Sequence, residues 1–229
     1  MNTRAEKIAS ILTEAILDHR LLPGSKLGER ELAEVFGVSR IVIRQALVEL
    51  TKSSLVKIER NRGAFVARPS LQEALEIYDT LTMIEQYTAE LVANRIESGQ
   101  LKELKRLVKR QKEAADESKI DVATKLGKEF HRNFVKLSGN RVLGEIHTQL
   151  LRRASLISSL YKRSFDACNF VKDHELIIEL TEKGQAKEAK DLIQNHNHMI
   201  ARSHDMSNDP IPHVSLHEVL SPYVGADSN

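Results

Sequence analysis

Apolar residues recur three and four apart along most of this chain, and the places where that spacing breaks mark its elements. Residues 5–19 put Ile8, Ile11, Leu12, Ala15 and Ile16 on one face of an amphipathic helix, which Leu21, Leu22, Pro23 and Gly24 end. Residues 29–36 place Leu32, Val35 and Phe36 on one side, with Glu29, Arg30, Glu31 and Glu34 mostly outside, and so predict a second, short helix. Gly37 supplies the left-handed turn that commonly ends a helix. Ser39 stands as N-cap to a third helix, whose apolar face is Ile43, Ala46, Leu47 and Leu50. Two short helices joined so tightly cross steeply, as a helix-turn-helix. Burying that face turns Arg40, Ile41, Arg44 and Gln45 outward, and these side chains suit phosphates and base edges.

Residues 54–59 and 64–67 then read as two short strands around Arg60, Asn61, Arg62 and Gly63, a turn sequence with a basic tip. Beside a helix-turn-helix such a hairpin is a wing, with Arg62 and Gly63 placed to reach the backbone or minor groove. From Leu71 the strand-like alternation gives way to helical period. Helices are expected over 72–98, 101–116, 121–137, 141–163, 165–183 and 186–204, with short joints that predict an antiparallel bundle. The tail, 206–229, carries three prolines and a small apolar cluster of Leu216, Val219 and Leu220, and is expected to dock loosely. The fold class is thus mainly α: a winged helix-turn-helix over 1–70 (three helices and a β-hairpin), an antiparallel six-helix domain over 71–205, and a C-terminal extension over 206–229.

Composition narrows this picture little, since 41% hydrophobic residues in 229 is ordinary for a globular protein. Apolar runs of only a few residues fall short of the roughly 20 that span a bilayer, and the first ten residues lack the apolar stretch of a signal peptide, so no membrane and a cytoplasmic location are expected. The single Cys168 makes no internal disulfide and is read as structural. Charge is more informative. Residues 1–70 hold 12 Lys+Arg against 8 Asp+Glu (+4), leaving 22 against 24 (−2) in the rest, and a basic first unit suits phosphate contact.

Eight of the nine histidines follow residue 70, and three lie on apolar stripes of different predicted helices. His131 precedes Phe134 and Val135; His174 is flanked by Phe170, Ile177 and Ile178; His196 by Leu192, Ile193, Met199 and Ile200. All three should point into the bundle, where neutral imidazoles can meet at one metal ion; the alternative is hydrogen-bonded core histidines without metal. His147 falls on an inward stripe with Leu143, Leu150, Leu151 and Ala154 and is read as the wall of a pocket, while the paired guanidiniums of Arg152 and Arg153 could clamp a carboxylate.

The run of residues 22–50, with Pro23-Gly24, Leu27, Glu31-Leu32-Ala33, Gly37-Val38-Ser39-Arg40 and Arg44-Gln45-Ala46-Leu47, closely resembles the N-terminal signature of GntR-type bacterial transcription regulators. It departs where Val42 replaces a common proline, Gln45 a common glutamate and His19 a common glycine. Phe130-His131, Ser138-Gly139-Asn140, His174, and Ala189 followed by His196 extend the likeness to the ligand-binding domain of the FadR branch, the FCD type. The resemblance implies that these histidines hold a divalent metal, zinc or nickel, beneath a small carboxylate effector. It also implies an aspartate one turn before the first histidine, where this chain has Gly127, which suggests open volume there. Leu81-Thr82 departs again, where many members have arginine before the residue matching Glu85.

A non-enzymatic, homodimeric transcription regulator follows, because one recognition helix reads few base pairs and two on a two-fold axis read a palindromic operator. Arg30, Ser39, Arg40, Ile41, Arg44, Gln45, Arg62 and Gly63 are its expected DNA contacts. Two alternatives are a metal-dependent hydrolase fused to a DNA-binding unit and a non-regulatory nucleoid-type protein.

Overall fold

The computed structural model describes residues 3–93, 96–160, 167–202 and 215–224, without the side chains of 158–160, 167–169 and 224, which include Cys168. The described residues form ten helices and a small antiparallel sheet, in two compact units.

The first unit opens with α1 (Arg4–Leu17), whose buried face is Ile8, Ala9, Leu12, Ala15 and Ile16. Thr3 caps it reciprocally: its hydroxyl accepts from the Glu6 amide at 3.2 Å, and the Glu6 carboxylate accepts from the Thr3 amide at 2.8 Å. The helix stops before Leu21 because His19 turns left-handed (φ 58°) and the amides of Arg20 and Leu21 fold back onto the Ala15 carbonyl. After α2 (Glu29–Phe36), Gly37 takes φ 59° and the chain enters α3 (Arg40–Lys52). Ile43, Ala46, Leu47 and Leu50 are buried as the spacing predicts, and Leu32 with them; Val35 and Phe36 are half-buried. Ser39 has the extended backbone of an N-cap, but its hydroxyl makes no capping bond.

Strands β2 (Val56–Glu59) and β3 (Gly63–Val66) form the expected hairpin, with Val56 opposite Val66 and Glu59 opposite Gly63. A third strand, β1 (Lys26–Leu27), pairs with the far edge of β3, giving the order β1-β3-β2. Two residues are too few for a period-2 pattern to show.

The tail contributes α10 (Leu216–Val224) to this same unit, packed on α2. Sequence alone suggested loose docking, yet Leu216 and Leu220 lie in the core of the winged helix, 2% and 0% exposed. Burying two leucines contributes roughly 1.5–3 kcal/mol each. The Leu216 amide also donates to Glu31 Oε1 at 3.1 Å, and Tyr223 donates to Asp18 Oδ2 at 3.3 Å. Pro222 leaves the Glu218 carbonyl without its helical donor, and the Ser221 hydroxyl fills in at 3.1 Å.

The second unit is built from α4 (Leu71–Val92), α5 (Ser98–Asp116), α6 (Ile120–Lys136), the first part of α7 (Arg141–Leu160), α8 (Ala167–Glu182) and α9 (Ala186–Arg202). Its core is aliphatic with two phenylalanines: Leu104, Val108, Phe130, Phe134, Ile177 and Ile193 are all buried. Helix α5 packs on α6 and α8, and α8 on α9, which brings the inward stripes of α6, α8 and α9 face to face. The second half of α7, from Arg152, belongs with the first unit, where Leu156 joins the winged-helix core.

Candidate functional site

The exposed side of α3 carries Arg40, Ile41, Arg44 and Gln45, opposite its buried face, and Ile41 is 67% exposed despite being apolar. Arg44 is held from α2: its Nε–H is shared between both Glu29 carboxylate oxygens, at 2.9 and 2.8 Å. Arg30 reaches Glu34 at 3.7 Å, and Ser39 stands exposed at the start of α3. At the hairpin tip Arg62 pairs with Glu59 and lies over the Phe65 ring at 5.3 Å, beside an exposed Gly63.

In the second unit His131 from α6, His174 from α8 and His196 from α9 meet, 8%, 2% and 1% exposed. Their Nε2 atoms point at one another: His174 to His131 is 3.2 Å and His196 to His131 is 3.3 Å. Each Nδ1 faces an acceptor from a different place in the chain. Glu85 Oε1 lies 3.1 Å from His131, Gln111 Oε1 2.8 Å from His174, and Asp173 Oδ2 2.9 Å from His196. An acceptor at Nδ1 assigns the ring proton there and leaves Nε2 a bare lone pair. Three lone pairs converging in a buried site repel unless a cation lies among them. Ligands about 2.1 Å from a tetrahedral ion stand about 3.4 Å apart, close to the two separations seen. The residues present therefore fit a divalent ion that accepts imidazole.

Protonation states favour the same chemistry. Burial, reinforced by the neighbouring His131 and His196, holds His174 well below the ordinary imidazole range. Burial also lowers His196, although its bond to Asp173 works the other way. Burial pushes the Glu85 carboxyl up, but His131 and His147 outweigh it and keep Glu85 well below the usual carboxylate range. That carboxylate accepts three bonds: Oε1 also receives His147 Nε2 at 2.8 Å, and Oε2 receives Asn197 Nδ2 at 3.0 Å. Glu85 and Asp173 are both committed to imidazoles and fix the orientation of those rings.

His147 is fully buried and is tied to the cluster through Glu85; its Nδ1 has no hydrogen-bond partner among the described residues. Arg152 and Arg153, expected as an effector clamp, are half-buried in the part of α7 that belongs to the winged-helix unit, outside the unit that holds the histidines. The volume expected beside Gly127 is not open. A Cβ there would stand 2.8 Å from Gln111 Nε2 and 3.5 Å from His174 Cε1, so the Gln111 side chain fills the space. Sequence reasoning passed over Gln111, Asp173 and Asn197. The signal for Gln111 was present: it interrupts the apolar stripe Leu104, Leu107, Val108, Ala114, Ala115 with a polar residue only 4% exposed. Phe130 stacks on His174 with centroids 4.2 Å apart, walling the cluster with hydrocarbon.

Residues 4–66 match the family described as bacterial regulatory proteins, gntR family, and residues 76–199 match the FCD domain. The Uxu operon regulator of Haemophilus influenzae is 26% identical over 215 residues, covering 86% of this chain and 80% of that protein. The HTH-type transcriptional regulator YdhC of Bacillus subtilis is 28% identical over 191 residues, covering 82% and 85%. Among solved structures, a GntR transcriptional regulator from Rhodococcus sp. RHA1 superposes with a TM-score of 0.76 at 21% identity, over 89% of this chain and all of that one, which shows a common fold. No helix among the described residues is long and apolar enough to cross a membrane.

Proposed function

Because the chain belongs to the gntR family of bacterial regulatory proteins and carries an FCD domain, which makes it a DNA-binding transcription regulator, we propose that it binds a palindromic operator as a homodimer whose affinity is set by a small carboxylate in the helical unit. The observation that carries the effector reading is the convergence of three buried Nε2 atoms with every Nδ1 held by an acceptor.

On DNA, α3 lies in the major groove. Arg40 and Arg44, one turn apart, and Gln45 meet base edges, and exposed Ile41 meets a thymine methyl. Arg30, Ser39, Arg62 and Gly63 contact the backbone or the minor groove and set the register. Two such units on a two-fold axis read the two halves of one site. One relative is named as an operon regulator, which supports operator binding as the task of this unit.

In the helical unit His131, His174 and His196 would hold a divalent ion, zinc or nickel, which supplies a Lewis-acid charge that three neutral imidazoles leave uncancelled. A carboxylate would offer an oxygen to the position that three imidazoles leave open and would cancel part of that charge. Glu85, Gln111 and Asp173 keep the rings aimed, and His147 is placed on the same carboxylate as His131. Effector and operator are coupled reciprocally, and a few kcal/mol of preference for one arrangement of the units changes operator occupancy severalfold or more.

The test starts from a duplex selected out of a random library by the metal-loaded protein. Small mono-, di- and hydroxycarboxylates are titrated into the complex and followed by anisotropy. At least one should change affinity tenfold or more in the wild type and none in His174→Ala. A panel that acts equally on both proteins, or on neither, contradicts the effector reading. A one-to-one complex of protein chain and full palindrome contradicts the dimer.

A further inference from the structure

Arg44 presents two edges, and the protein uses only one of them. Its Nε–H is bifurcated onto Glu29 Oε1 and Oε2, at 2.9 and 2.8 Å, while its Nη1 and Nη2 groups make no hydrogen bond to described residues. The Arg44 side chain is 64% exposed, whereas that of Glu29 is half as exposed, at 33%. Glu29 is the first residue of α2, where the helix N-terminus favours a carboxylate, and α2 is anchored by the fully buried Leu32. The acceptor is thus fixed to the scaffold, and the flexible side chain is fixed to the acceptor.

We infer that Glu29 is a positioning residue for sequence readout: it grips the Nε edge of Arg44 so that the Nη1–Nη2 edge is presented to a guanine. This inference rests on α3 being the recognition helix. A guanine O6/N7 pair needs two parallel N–H donors, and the end-on fork provides them while Nε is occupied. A free arginine at this place would spread over many rotamers and reach phosphates as readily as bases. Holding it costs the protein a negative charge near the DNA, which weakens binding to every sequence alike. Glu29 therefore trades general affinity for discrimination.

The trade gives opposite signs to two quantities that a purely structural role would move together. The full-length protein is titrated with a duplex that it selects from a random library, and with the same duplex scrambled, at several salt concentrations. Glu29→Ala should bind the scrambled duplex about threefold more tightly, with a salt slope steeper by about 1, while the preference for the selected duplex falls about tenfold. Glu29→Gln keeps an oxygen for Nε but not the charge. It should show the same gain on scrambled DNA and keep more of the preference than Glu29→Ala. In the Arg44→Ala background Glu29→Ala should remove no further preference.

Unchanged preference in Glu29→Ala, with Arg44→Ala losing it, overturns the positioning role and leaves the recognition helix intact. A larger preference in Glu29→Ala overturns it as well, since the carboxylate would then be competing with DNA for the guanidinium. Full preference in Arg44→Ala removes the recognition-helix reading beneath it. Circular dichroism melting confirms that each variant is folded, and Glu29→Gln keeps the test decisive if the alanine variant is not.

Discussion

Gly127→Ala adds one methyl group against Gln111 and His174, at the edge of the histidine cluster. The new Cβ would stand 2.8 Å from Gln111 Nε2, where ordinary contact begins near 3.4 Å, so the amide must retreat by about 0.6 Å. It has little room, being 4% exposed, and its other end holds His174 Nδ1 at 2.8 Å. Retreat therefore stretches or breaks that bond. A buried N–H left without its acceptor costs about 1–3 kcal/mol of stability, and losing a partner that orients a metal ligand costs about 10–100-fold in metal affinity. Gln111→Ala removes the same bond without the clash and should lose a similar amount. The double variant then has neither clash nor bond, and should bind metal no more weakly than Gln111→Ala alone. Calorimetric titration of zinc into metal-stripped protein measures all four members of the cycle. Losses that add across the two sites, or Gln111→Ala with wild-type affinity, would refute the reasoning. The same geometry bears on the aspartate that the resemblance implies at this position: Gly127→Asp meets Gln111 first, and should gain zinc affinity only when combined with Gln111→Ala.

Leu220→Ala empties a fully buried site between α10 and the winged-helix core, and should destabilise that unit by about 2–5 kcal/mol in denaturant unfolding; a loss below about 1 kcal/mol would mean that α10 is not part of that core. Arg62→Ala should lower the salt slope of DNA binding by about 1 while leaving the preference among half-sites unchanged, and an unaltered slope would mean that the wing does not touch DNA.

The helix-turn-helix was legible because its apolar spacing is local: Leu32, Ile43, Ala46, Leu47 and Leu50 announce their faces without reference to the rest of the chain. His131, His174 and His196 were legible one at a time, as polar residues on apolar stripes, but their convergence depends on how three helices pack. Partners that come from other helices could not be read by spacing at all. Glu85 on α4 and Gln111 on α5 reach histidines 46 and 63 positions away, and only the packing decides which acceptor meets which ring. Gly127 misled for the same reason, since a missing side chain suggests a hole only until a neighbour fills it. Helix α10 was obscured by Pro222 and by an apolar cluster too short to show a period, whereas its docking is fixed by Leu216, Leu220 and the bond to Glu31. The missing Ser39 cap shows the limit of a local signal: the backbone takes the N-cap conformation without the side-chain bond.

The central claim is that the three histidines form a metal centre, and zinc uptake tests it most directly. Full-length protein is stripped with chelator, dialysed against micromolar zinc beside its His174→Ala variant, and both are assayed by elemental analysis. The account predicts one zinc ion per chain in the wild type and a loss of that ion in the variant. Equal zinc in the two proteins, or none in either, would contradict it.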